Sequence, residues 1–159
     1  MEPFEALNQG GQVPRLRRLA EVALQAYPLR EPRLRPVAHL FNTIFQVETL
    51  EGSRFALRIQ RPDQSDVDVV HSEMMWLAAL RRETNLSVPE PVCTSDGALL
   101  TIAGHEGVPE PRICVLFRWM EGRFFDGALT PAHLERFGVL TARLHQHAAQ
   151  FIPPAGEPI

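Results

Sequence analysis

RFALRIQRP, residues Arg54–Pro62, alternates apolar and other side chains with the period of a strand. Phe55, Leu57 and Ile59 point to one face, and Ala56, Arg58 and Gln60 to the other. Just downstream, Ser65 to Asp68 offers capping side chains for a helix running to about Glu83. On that helix Glu73 has Val69, Val70, Trp76 and Leu77 three and four positions away, with Leu80 a turn further on. Its carboxylate therefore lies inside an apolar stripe. An unpaired charge there is costly, so the acid calls for a cationic partner. Arg58, on the preceding strand, is the nearest candidate. The alternatives are a solvated Arg58 on an edge strand and a Glu73 that meets water or Arg81. Ala56 is small enough for a flat aromatic ligand to lie over it while Arg58 reaches further along the same face.

Before this strand, an amphipathic helix is expected from Pro14, with Leu16, Leu19, Ala20, Ala23 and Ala26 inward and Arg15, Arg17 and Arg18 outward. The residues ahead of it, with Gly10-Gly11, read as loosely held. Pro28, Pro32 and Pro36 force an extended segment, then strands at roughly Leu34–Leu40 and Thr43–Leu50, and a turn at Glu51-Gly52. After the Glu73 helix come the extended Val88-Pro89-Glu90-Pro91, short strands at Val92–Thr94 and Ala98–Ile102 joined as a hairpin by the turn Ser95-Asp96-Gly97, and a strand from Ile113 to Met120. Gly122 breaks the pattern. Thr130-Pro131 starts another helix with Leu134, Phe137, Leu140, Thr141, Leu144 and Ala148 inward, ended by Pro153-Pro154. About five antiparallel strands with one packed helix, a helix before them and another after a connector, make an α+β order.

With 159 residues the chain has room for a real core, and its net charge of −3 gives no electrostatic reason to expect nucleic acid or an anionic membrane as a partner. All sixteen basic residues are arginine. Schiff-base or Walker-type lysine chemistry is thereby excluded. Cys93 and Cys114 lack CxxC spacing and read as free thiols of a cytoplasmic protein. No apolar run reaches membrane-spanning length. His145 and His147 are two apart on a helix and face different ways, and His39, His71, His105 and His133 have no ligand spacing, so no metal site is expected from them. No serine sits in a GxSxG elbow.

Ile113–Phe117 followed by Arg118-Trp119-Met120-Glu121-Gly122 reads as a strand leaving its sheet at a hinge, where backbone N–H and C=O groups can read the edge of an adenine. A buried strand ending at a glycine fits equally well. A strand cation answered by a helix carboxylate, with a hinge beyond, is how kinase-type folds hold a nucleotide. At these places the sequence resembles the aminoglycoside phosphotransferase and choline/homoserine kinase-like family. The resemblance covers about Leu34 to Phe151: Asn42-Thr43-Ile44-Phe45-Gln46-Val47 for the second strand, Arg54–Pro62 for the nucleotide clamp, Ser72-Glu73 with Trp76–Leu80 for the carboxylate helix, Val88–Val92 with Asp96-Gly97, and Leu140–His145 for the "l..LH" helix. It implies that ATP is the nucleotide, that Arg58 contacts its α/β-phosphates, that Arg118 C=O and Met120 N–H contact adenine, and that Phe117 backs the pocket.

The pattern departs from the family at two points: Arg58 stands where lysine is usual, and no glycine occurs in the phosphate-covering loop around Leu40 to Ile44. No aspartate follows Asp126, and no His-Gly-Asp motif occurs, so catalytic and metal-binding residues are not assigned and Mg²⁺ is expected only with a large lobe outside this chain. The expected organisation is an N-terminal segment (1–32), a nucleotide-binding small lobe (33–120), and a hinge with the first helix of that large lobe (121–159). Two functions compete. One is the ATP-binding lobe of a small-molecule hydroxyl kinase, inactive alone. The other is a non-catalytic, pseudokinase-like module whose exposed lobe face meets a partner or a second copy. An unrelated α+β domain is the third reading.

Overall fold

The computed structural model describes residues 2–62, 66–122 and 127–154. Helix α1 (Gln9–Leu24) precedes three strands, β1 (Arg33–His39), β2 (Thr43–Glu48) and β3 (Arg54–Ile59). Helix α2 (Val67–Glu83) follows, then β4 (Pro91–Val92), β5 (Thr101–Ala103), β6 (Arg112–Arg118) and α3 (Pro131–Ala148). All ladders are antiparallel, in the order β1-β2-β3-β6-β4. Strand β5 also pairs β6, so the sheet has six strands rather than about five. The Thr94–Gly97 turn forms, with Gly97 at φ 91°, where a side chain would be strained. The segments it joins do not ladder with each other as a hairpin. Pro91-Val92 pair with Phe117 and Leu116, and Thr101–Ala103 with Cys114–Arg112, end to end along β6.

The alternation in Arg54–Ile59 divides the sheet as its pattern demands. Leu57 and Ile59 are buried with Phe45, Val47, Cys114 and Leu116 beneath Leu16, Leu19, Ala20 and Ala23 of α1. On the opposite face Ala56, Val115 and Phe117 meet Val70, Met74 and Leu77 of α2. Asp66 caps α2, its side chain accepting from Asp68 N; Ser65, the other expected cap, lies outside the described residues. So does Asp126.

Two expectations are corrected. The N-terminal region is not loose up to Pro14: a 3₁₀ turn spans Phe4–Ala6, and α1 starts at Gln9, with the Asn8 side chain accepting from Gly11 N at 3.1 Å. A Cβ at Gly11 would stand 3.1 Å from Leu7 side-chain carbons, so the close approach of Leu7 suits a glycine there. In α3 the expected inward face is largely outside. No residue of this helix is buried, Leu134 is 55% and Phe137 68% exposed, and only Leu140 and Leu144 pack on the cluster of Leu80, Leu86 and Val88. Its start is as expected: Thr130 caps, with His133 closing a capping box.

Candidate nucleotide site

Register places Arg58 opposite Ile44 on β2 and Val115 on β6, and Ala56 opposite Gln46 and Phe117. Residues directly opposite share a face. Ala56, Arg58 and Phe117 therefore form one surface beside α2. Helix α2 runs over this surface with Glu73 toward Arg58. The guanidinium grips the carboxylate at both ends, Nη1 donating to Oε1 at 2.8 Å and Nη2 to Oε2 at 2.6 Å. The Arg58 side chain is 17% exposed and that of Glu73 39%. Planar two-point pairing of this kind fixes direction as well as distance. Phe117 lies under the same guanidinium, with Cζ 5.2 Å from its ring centre. Gln60, with its amide oriented to suit its neighbours, accepts from Arg58 Nε at 3.3 Å and Nη2 at 3.1 Å and donates to Asn42 Oδ1 at 2.6 Å. This last contact ties the clamp to the β1–β2 turn, a link that residue spacing did not reveal.

Strand β6 ends at Arg118, and the chain leaves the sheet with Trp119 N–H donating to Arg54 O at 3.1 Å. Arg118 N–H donates to Glu90 O at 2.9 Å, and its Nε to Glu90 Oε1 at 3.0 Å. Arg81 Nη2 reaches the other oxygen of Glu90 at 3.4 Å, and Arg54 pairs with Glu121. A cavity of about 360 Å³ at this connector is lined by Arg118, Met120, Glu90 and Arg81. Neither Ala56 nor Arg58 is among its lining residues. The fold thus brings Arg58, Glu73, Ala56 and Phe117 together and keeps Arg118 and Met120 beside a separate hollow along the connector.

A second cavity, about 340 Å³, lies at the other end of the sheet, between the N-terminal segment and the β1–β2 turn. His39 in its wall meets Thr43 Oγ1 at 2.8 Å and Gln12 Oε1 at 2.9 Å. Burial and, secondarily, the Arg61 charge hold this imidazole below its usual pKa. It is a structural histidine. Leu40 and Phe41 at the tip of the turn are 71% and 72% exposed.

Among the described residues no three metal-ligating side chains come together. Among the described residues the carboxylate that meets Arg58 is Glu73, and Arg58 occupies both its oxygens. That donor set does not fit Mg²⁺. Among the described residues no helix is long and apolar enough to cross a membrane.

The profile of the "Phosphotransferase enzyme family" matches residues 33–159. Among solved structures, a microcompartment-associated aminopropanol kinase is 30% identical with a TM-score of 0.74, over 89% of this chain and 43% of that one. Amicoumacin kinase hAmiN, solved in complex with AMP-PNP, Ca²⁺ and Ami, is 19% identical with a TM-score of 0.66, over 87% of this chain and 40% of that one; at this identity it speaks for the fold alone. The chain thus spans less than half the length of either kinase. The comparison with curated proteins found no match.

Proposed function

The chain belongs to the phosphotransferase enzyme family, and from that premise we propose that it is the ATP-binding lobe of a small-molecule hydroxyl kinase. The observation that carries the reading is the two-point Arg58–Glu73 clamp set over Phe117 beside the small Ala56. Residues 33–120 form the nucleotide lobe, 1–32 brace its back through α1, and 121–159 lead into the large lobe. Adenine would lie over Ala56 against Phe117, and Arg118 C=O and Met120 N–H would have to turn from their own hollow along the connector to read its edge. A guanidinium has five N–H donors. Glu73 takes one from each Nη, and Gln60 faces Nε and Nη2, which leaves the outer Nη1–H for an α- or β-phosphate oxygen. The family match over residues 33–159 supports a nucleotide ligand.

No His-Gly-Asp motif occurs in the 159 residues, so the chain alone should bind ATP without turnover. Calorimetry with ATP and with adenosine tests the reading: heat of binding is expected for ATP and is to weaken in Arg58→Ala. No heat at millimolar nucleotide would sink it. Phosphorylation of an added hydroxyl compound by the purified chain would overturn the predicted inactivity.

A second reading, a non-catalytic interaction module, is favoured by the exposed Leu134 and Phe137 on α3 and by the closure of Arg58 onto Glu73. Silence in calorimetry together with a dimer in size-exclusion chromatography would select it.

A further inference from the structure

We propose that His147 is a positioning residue, locked as the neutral Nε2–H tautomer, that ties α3 to the helix carrying Glu73. Its ring stands between two side chains of α2. Trp76 Nε1–H donates to His147 Nδ1 at 3.1 Å, and His147 Nε2 lies 3.1 Å from Glu83 Oε2. An indole nitrogen only donates. Nδ1 therefore carries no proton, and Nε2 carries one and gives it to the carboxylate. The two partners fix the tautomer.

The surroundings make this ring a fastening. Its side chain is 12% exposed, and Phe151 stacks on it at 6.1 Å between centres and 24° between planes. Beyond it α3 has little hold, since no residue of that helix is buried and its apolar contribution to the α2 side is Leu140 and Leu144. Glu83 is also paired by Arg82, and that hydrogen bond, then the one to His147, keeps its carboxyl below the usual range. Trp76 and Glu83 are seven residues apart, about 10 Å along a helix axis. One imidazole thus grips α2 at points two turns apart and resists both its rotation and its sliding. Glu73 sits one turn before Trp76 on the same stripe. A turn of α2 that carried Glu73 away from Arg58 would break both bonds to His147. That consequence for the clamp rests on the nucleotide reading given above; the fastening itself does not.

The test uses the whole chain, ¹⁵N-labelled. Long-range imidazole spectra are expected to show His147 with a protonated Nε2 and a bare Nδ1. A protonated Nδ1, or rapid averaging between tautomers, would overturn the assignment. His147→Phe keeps a stacking ring and removes both bonds, and Trp76→Phe removes the indole donor alone. Trp76→Phe should raise amide exchange in α3 and around Ser72–Trp76 about tenfold, the worth of one hydrogen bond, and His147→Phe by at least as much. His147→Gln, whose amide offers one acceptor and one donor, should restore much of the protection. Unchanged exchange around Ser72–Trp76 in the first two variants, with circular dichroism showing both folded, would overturn the positioning role. Calorimetry on the same proteins separates the two ideas: a wild type that takes up no ATP sinks the nucleotide reading, while the exchange data alone decide the fastening.

Discussion

On the face of the sheet covered by α1, Phe45, Val47, Leu57 and Leu116 are wholly buried, whereas on the α2 face Ala56 and Arg58 stay half-buried and carry a charged clamp. Adjacent residues of one strand supply both. The α1 face is mainly hydrocarbon, and its burial holds the strands together. The α2 face leaves the neighbourhood of Ala56 only partly covered, and its charge is directed by hydrogen bonds instead of being excluded. The two-residue period of β3 thus separates a hydrocarbon face from one that carries a charged pair.

The sharpest way to break that contrast is to cut each face in turn. Leu57→Ala should cost about 2–5 kcal/mol in urea unfolding, because the cavity it leaves is enclosed on all sides. Arg58→Ala should cost only about 1 kcal/mol, since the pair is partly solvated, yet lower ATP affinity at least about tenfold. If Arg58→Ala unfolds the protein as readily as Leu57→Ala, the two faces are not functionally distinct. A smaller effect sharpens the picture at the far end of the chain. Thr130→Ala removes a cap worth about 1 kcal/mol, and the loss should show as faster amide exchange in the first turn of α3 with little change in the sheet.

Acid should act on the α2–α3 contact before the core. The Glu83 carboxyl is depressed by Arg82 and then His147, so its contribution is present above the ordinary carboxylate pKa and is lost as pH falls through its lower folded value. Protection of α3 amides should therefore decline below about pH 4 while the sheet stays protected. The least disturbing probe is thiol labelling. Cys114 lies in the α1-covered core, where burial pushes its thiol up to about 12, and Cys93 is exposed. Cys93 should be alkylated at once at mild pH and Cys114 only after unfolding; equal rates would mean that the α1 face is not sealed.

Much of this was legible because it is local. The period of Arg54–Ile59 fixed which residues share a face, and an acid inside the apolar stripe of α2 required a cation nearby. The proline and threonine at 130–131 announced a helix start that the capping box realises. The misreadings come from places where a local pattern needs a partner to acquire meaning. Apolar spacing in α3 predicted an inward face, but spacing says only that a stripe exists, and much of this stripe stands exposed. The glycine pair at 10–11 suggested slack, yet Asn8 and Leu7 turn it into the first turn of α1.

The sequence by itself determined the α+β order and the two faces of β3 and named Arg58 as the partner to expect for Glu73, because periodicity and the cost of a poorly solvated charge act over a few residues. Only the tertiary structure decided that β4 and β5 share one edge of β6, that Gln60 joins the clamp to Asn42, and that His147 meets Trp76 and Glu83. These contacts join residues far apart in the chain or on separate elements, and their geometry exists only once the sheet has set the helices in place.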